Sequence, residues 1–414
     1  MHTETDSPET RIGRVEFTVM ISMTMALAAL AIDITLPSFG DIRDQFGLAS
    51  DSNAVAPVIT FALMGLAIGQ LLWGPLSDAL GRKVILYAGI TTYILGTVGA
   101  AISPALGVLY ASSFVIGIGA SGARVVALST VRDLYTGHRM AKVMSLILAI
   151  FLLVPLVAPS IGAAVRTAST WRYVYVFVGV AGVSVLLWTT RLPETLMPDR
   201  RIQLDLAKLG AAVGFVLRNR LTMGYTLAQA FVFGFFASYL ASSELIIGDV
   251  FGLADWFPLI FSGFAAFLGA AILLNNHLLN RLDLRTMLRI AFGLYLAGGI
   301  VFALMAIFTG GSPPFAVFAV MLAPLLGVYA LLLPNLNSAA LIPMGSMAGT
   351  ASAVIGMVSI LGGSMIGSLI DRAFNGTITP FAVSAAITGI LAFGFFVWAD
   401  RAWDEEAVEI GPVP

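Results

Sequence analysis

The chain has 414 residues, 58% of them hydrophobic and only 11% charged, with a net charge of −1 and no cysteine. An ordinary soluble domain carries about 25% charged residues; too few are present here to cover a water-facing surface, so the solvent for most of the chain is lipid. Near-zero net charge gives no electrostatic pull toward nucleic acid, and the lack of cysteine excludes disulfides, iron–sulfur clusters and thiol chemistry.

The first apolar run covers 15–36, after Arg11 and Arg14. Its Ala29-x-Ala31 spacing mimics a signal-peptidase site, but the run is about twice the usual length of a signal core. It reads as an uncleaved first span. A membrane-crossing helix needs about 17–25 mostly apolar residues. Further candidates are 55–76, 84–102, 106–129, 141–165 and 173–188, then 221–241, 257–274, 287–308, 315–334, 348–370 and 380–399. The pattern is six, a gap, and six. If both termini are cytoplasmic, the cytoplasmic segments hold 17 of the 22 Lys and Arg. Only Arg43, Arg166, Arg172 and Arg372 fall outside and Arg124 lies within a span, a bias that sets the orientation by the positive-inside rule. Residues 1–190 are therefore expected to form one six-helix bundle, 191–220 a cytoplasmic linker and 221–414 a second bundle. Within the linker, 202–217 is amphipathic and suits the inner leaflet.

Taken in chain order, the first chemically informative residue is Asp33. A carboxylate inside a span costs about 2.5–3.5 kcal/mol on insertion scales and is a functional candidate by default. It is either a proton carrier or, if the helix ends early, a cap beside Leu36-Pro37. After the second span comes Gly74-Pro75-Leu76-Ser77-Asp78-Ala79-Leu80-Gly81-Arg82-Lys83. So short a reversal needs the permissive backbone of Gly81, and Asp78 is placed to pair with a base or to cap a neighbouring helix N-terminus. A plain basic turn explains Arg82 and Lys83 but leaves Asp78 and the glycines unaccounted for.

The fourth span holds Arg124. At a rise of about 1.5 Å per residue it lies roughly 20 Å in depth from Asp33, too far for a direct pair. A Glu16–Arg124 pair and simple snorkelling to the headgroups are equal alternatives. The same span contains Gly117-Ile118-Gly119-Ala120-Ser121-Gly122, a literal G-x-G-x-x-G. Without a preceding strand or a following acid it is helix packing and not a dinucleotide site. No P-loop sequence occurs, and His2, His138 and His277 are too scattered for a metal centre. No cofactor and no metal are expected.

The seventh span ends at Ser243-Glu244, where Glu244 either faces water or stands at a cavity mouth. By helix position, Phe235, Phe236 and Tyr239 could supply an aromatic wall, with Asn335 and Asn337 as hydrogen-bonding groups. In the eleventh span Ala348, Ser352, Gly356, Ser359, Gly363 and Gly367 fall on one face, and the second span offers Gly65 and Gly69. Such faces allow close backbone approach, either for static packing or for a sliding interface between halves.

The loop Gly74…Lys83 resembles the signature of the major facilitator superfamily, with Ala79 in place of the usual basic residue. Arg281-Leu282-Asp283-Leu284-Arg285 looks like a worn second copy. Asp33-Ile34-Thr35-Leu36-Pro37, Ala158-Pro159-Ser160-Ile161-Gly162 and Ala348-Gly349-Thr350-Ala351-Ser352-Ala353 narrow the resemblance to drug:proton antiporters of the bicyclomycin/chloramphenicol-resistance (Bcr/CflA) type. The resemblance implies an all-α membrane protein of twelve transmembrane helices in two six-helix bundles, with a cavity lined by helices 1, 4, 7 and 10. It implies proton-coupled efflux of small organic molecules by alternating access, from a bacterial inner membrane, by a monomer that is not an enzyme. Asp33 then belongs to the proton or substrate chemistry of the cavity. Asp78 joins a charge network whose expected partner is Arg132, and Pro159 and Gly162 carry the antiporter signature. Relatives commonly have Arg and Gln where this chain has Ser113 and Ile116, so Arg124 is a candidate substitute. The rival reading is a metabolite transporter that does not couple protons through Asp33.

Overall fold

Residues 12–201 and 206–403 are described by a computed structural model. A backbone in lipid must satisfy its own N–H and C=O groups, which favours helices throughout; among the described residues no strand occurs. The helices are α1 (Arg14–Asp33), α2 (Phe39–Gln45), α3 (Pro57–Leu80), α4 (Arg82–Ala101), α5 (Leu106–Leu134), α6 (Gly137–Ala168) and α7 (Trp171–Thr189). They continue with α8 (Leu206–Arg218), α9 (Arg220–Leu245), α10 (Phe257–Leu279), α11 (Leu284–Phe308), α12 (Phe315–Leu341), α13 (Ala348–Arg372) and α14 (Thr379–Asp400). All but α8 belong to the twelve segments among the described residues that are long and apolar enough to cross a membrane, α2 sharing the first of them with α1. The expected all-α architecture with twelve spans is what the chain forms. Helix α8 covers most of the amphipathic stretch expected at 202–217; residues 202–205, like His2 and Arg11, lie outside the described residues.

The chain forms two compact units, Met1–Phe46 with Phe61–Asp205, and Gly47–Thr60 with Leu206–Pro414. In the first, α4 packs most extensively on α5 and α1 on α6. Small residues set the α3–α5 approach: a Cβ on Gly65 would overlap the Phe114 carbonyl oxygen, and one on Gly117 would overlap that of Ala62. The G-x-G-x-x-G run is thus helix packing. Trp73 Nε1 donates to Ile118 O at 2.8 Å across the same seam, and Tyr93 Oη donates to Leu27 O at 3.0 Å, tying α4 to α1.

In the second unit α9 is the central helix, buried along most of its length. It packs on α13, α14 and α12. The small residues of α13 serve this contact: a Cβ on Gly363 would lie 2.9 Å from Ala230 O, and one on Gly367 3.0 Å from Ser238 N. For Gly65, Gly69, Gly363 and Gly367 the structure therefore gives the small-residue faces a packing partner inside their own unit. Helix α9 passes into a single π-helical turn, Ile246–Val250. At the start of α11, Asp283 Oδ2 accepts from Thr286 N at 2.9 Å.

Two outcomes follow from these contacts. Overpacked cores lose about 1–3 kcal/mol, so Gly117→Ala should lower the thermal unfolding temperature in detergent, whereas Gly394→Ala, which meets nothing within 4 Å, should hold or raise it. The Thr286 amide holds the exposed Asp283 carboxyl below the usual carboxylate range. Its stabilising contribution is present above the unfolded value of about 3.9 and is lost as pH falls through the lower folded-state value. Asp283→Ala should therefore melt below wild type at pH 7, with the gap closing only in strong acid.

Candidate functional site

Asp33 is the last residue of α1, 4% exposed. The chain continues into a 3-10 turn, Leu36–Ser38, whose second residue is Pro37. No cation and no hydrogen-bond donor among the described residues reaches the Asp33 carboxylate, and it caps no helix. The neighbouring backbone is fixed by α6. Gly162 approaches so closely that a Cβ there would overlap the Ile34 carbonyl oxygen. One turn further along α6, Arg166 Nη1 donates to Pro37 O at 2.7 Å and Arg166 Nε stands 3.1 Å from Asp41 Oδ2. Pro159 lies buried in the same helix. Asp33 is thus held on this turn without a counter-ion among the described residues, although a basic side chain is anchored nearby on Asp41.

The loop after α3 is organised differently from the expected Asp78–Arg132 pair. Arg82 is the hub: Nη1 meets Asp78 Oδ1 at 2.5 Å and Ser77 Oγ at 2.7 Å, and Nε meets Asp133 Oδ2 at 2.8 Å. Arg132 is exposed and its guanidinium donates to Ser129 Oγ at 3.2 Å. Consecutive residues on a helix point about 100° apart, so only one of Arg132 and Asp133 can face the loop, and a buried arginine selects the acid. Asp78 does not cap α4. That role falls to Glu194, whose Oε1 and Oε2 accept from the backbone N–H groups of Arg82 and Lys83 at 3.0 and 3.1 Å. Gly81 has φ 108°, and a Cβ there would lie 2.6 Å from Glu194 Oε2, so glycine is required on both counts. Lys83 Nζ donates to Thr190 O at 3.0 Å. A Cβ on Gly74 would meet nothing within 4 Å.

The Glu16–Arg124 pairing is also replaced. Glu16 Oε1 lies 2.8 Å from Arg191 Nη1 and accepts from Trp188 Nε1 at 3.0 Å; the end of α7 supplies partners nearer its own level. Arg124 is half-buried on α5.

The three expected cavity aromatics separate onto two faces of α9. Phe236 stacks on Tyr329 with centroids 4.3 Å apart, and Tyr239 stacks on Phe261 at 5.7 Å. Phe235 turns the other way, stacking on Phe381 at 4.7 Å and meeting Tyr295 edge-on. It is core packing against α11 and α14. Asn335 is buried and its Nδ2 donates to Asn275 Oδ1 at 2.7 Å and to Leu331 O at 2.8 Å, joining α12 to α10. Glu244 is buried rather than water-facing.

The sequence reading missed Asp371. It sits at the end of α13 beside Arg372, where a charge looks like an ordinary interfacial residue, yet it is buried. Its Oδ1 accepts from Ser238 Oγ at 2.6 Å and from Ser242 Oγ at 2.7 Å. The Ser238–Ser242 spacing of four, which places two hydroxyls on one face of α9, was the available signal.

Residues 21–364 match the Major Facilitator Superfamily. The chain is 30% identical over 92% of its length, and 95% of the relative's, to an uncharacterised MFS-type transporter of Bacillus subtilis. It is 28% identical, again over 92% of this chain and 95% of the other, to a bicyclomycin resistance protein homolog of Haemophilus influenzae. Among solved structures, a D-xylose–proton symporter is similar with a TM-score of 0.68 at 16% identity, covering 92% of this chain and 97% of that one.

Removing one partner from a network leaves the others uncompensated, at a cost of about 1–3 kcal/mol per group. Arg82→Gln leaves Asp78 and Asp133 without their shared cation and should lower the unfolding temperature clearly more than Asp78→Asn, whose side chain is 45% exposed. Equal losses in the two variants, read by thermal unfolding in detergent, would remove Arg82 as the hub.

Proposed function

The chain belongs to the major facilitator superfamily, and from that premise we propose that it is a proton-driven exporter of small organic molecules. The reading is carried by one observation: the buried Asp33 carboxylate has no counter-ion among the described residues. A buried charge without a partner is costly, so this position suits a carboxyl that takes up a proton and gives it back. Occupancy by a proton or by a substrate would be mutually exclusive, which is the minimum needed for exchange. The bicyclomycin resistance homolog of Haemophilus influenzae supports drug-like substrates.

In this reading the protein works as a monomer in the bacterial inner membrane with both termini cytoplasmic, and transports by alternating access. Phe236 and Tyr239, on the α9 face toward α10 and α12, offer an aromatic surface for lipophilic substrates; Phe235 is excluded by its place in the core. The Arg82 network, with Glu194 capping α4, forms the stiff corner on which one state of the cycle is held. Gly162 and Pro159 keep the Asp33 turn in place. Arg124 lies on a different helix level and is assigned no part in proton transfer.

The test is transport in proteoliposomes under an imposed pH gradient, with chloramphenicol and a lipophilic cation as probes. Gradient-driven uptake should be severalfold above the gradient-free control, should collapse with an uncoupler, and should fall to the control level in Asp33→Asn. Saturable movement of a single metabolite, indifferent to both the uncoupler and Asp33→Asn, would instead establish a metabolite transporter.

A further inference from the structure

The two units carry the same local pattern at the end of one long helix with opposite charge. Helix α6 reads Ile161-Gly162-Ala163-Ala164-Val165-Arg166, and α13 reads Ile366-Gly367-Ser368-Leu369-Ile370-Asp371. In each, the glycine lies against a neighbouring helix, Gly162 on the end of α1 and Gly367 on α9. The ionisable residue follows one turn later. Arg166 is a permanent cation anchored on Asp41 and Pro37 O. Asp371 occupies the corresponding place in the second unit and can change its charge.

The surroundings of Asp371 are a built pocket. Both serine hydroxyls, from Ser238 and Ser242, donate to the same oxygen, Oδ1. The other oxygen, Oδ2, is buried and has no hydrogen-bond partner among the described residues. A small cavity bordered by Ser238, Ser242, Ile246, Phe374 and Phe381 adjoins it. No cation pairs with Asp371 among the described residues. Of the titratable groups on the elements around it, Glu244 on α9 is buried, while Asp249 beyond α9, Asp51 in the 47–60 segment and Arg372 are exposed; α14 presents only Pro380 and Phe381. The serines also carry a connection outward. Asn53 Nδ2 donates to Ser242 Oγ at 2.9 Å and to Asp371 O at 3.0 Å, so the segment 47–60 is fastened to this unit through the same hydroxyl that serves the carboxylate.

We propose that Asp371 is a second proton-binding site, which takes its proton on Oδ2 and whose state is passed through Ser242 to Asn53 and the 47–60 segment. Protonation at Oδ2 leaves both hydroxyl donations to Oδ1 in place, so the site need not rebuild when it loads. In the ionised form the two hydroxyls are the main compensation for the charge, and Ser242 is drawn between Asp371 and Asn53. Use of this proton in transport rests on the proton-driven reading above; its binding does not.

The test is infrared pH-difference spectroscopy of the purified full-length protein, following the protonated-carboxyl band. Asp33→Asn should remove one titrating component and leave another, which Asp371→Asn should remove and Glu244→Gln should keep. Because Asn preserves the shape and an acceptor for both serines, Asp371→Asn is expected to fold. The double change Ser238→Ala, Ser242→Ala keeps the acid and should move the midpoint of that component by about one pH unit or more. In the Asp33→Asn protein, a remaining component unaffected by Asp371→Asn and by loss of both hydroxyls would overturn the proposal. So would a band that responds to added sodium at fixed pH, which would make the pocket a metal-ion site. Loss of the Asp371 component with no component from Asp33 would instead strike the Asp33 reading alone.

Discussion

A charge that leaves water must meet its opposite or be able to disappear, and this constraint orders the whole chain. Several of its charges at the helix ends meet an opposite. Arg82 gathers Asp78 and Asp133, Arg285 and Arg289 share Asp400, Arg166 leans on Asp41 and Glu16 on Arg191. All of these but the Arg82–Asp78 contact also fasten segments more than 50 residues apart in sequence, so there neutralisation and tertiary structure are the same contacts. Against that background Asp33 and Asp371 stand out as buried carboxylates without a cation among the described residues. In the reading proposed here, these two are the groups that titrate. A transporter driven by protons needs groups of the second kind on a scaffold made rigid by the first.

The rigidity comes from close backbone approach. Where no water drives helices together, packing must come from contact at short range, which favours small residues at the seams. Gly65 and Gly117 bring α3 onto α5, Gly363 and Gly367 bring α13 onto α9, and Gly162 brings α6 onto the turn after Asp33. The last of these matters most for chemistry, because it fixes the backbone next to the ionisable group without adding a polar partner. Glycine does there what a side chain could not: it positions and does not neutralise.

The twelve spans, the all-helical class and the signature loop were legible in the sequence because each depends on local composition: apolar length, charge between spans, and a glycine with positive φ at Gly81. Partners were not legible, because they depend on which way a side chain leaves its helix. Arg132 and Asp133 are adjacent in sequence, and only the approach of Arg82 decides between them. Glu194 caps α4 across 112 residues, a distance no spacing rule reaches. Phe235, Phe236 and Tyr239 read as one wall because they are close along the chain, yet one residue of helical rotation sends Phe235 into the core. Asp371 was hidden by its neighbour: next to Arg372 at the end of a span it resembles a headgroup contact, and only the paired serines of α9 mark it as buried.

The central claim, that Asp33 exchanges a proton for substrate, is tested most directly by proton release from purified protein in weakly buffered detergent solution on addition of a lipophilic cation or a phenicol. Release from the wild type upon substrate binding is expected, and none from Asp33→Asn, with Asp371→Asn retaining the substrate-triggered release. Substrate binding to the wild type without any proton release would contradict it.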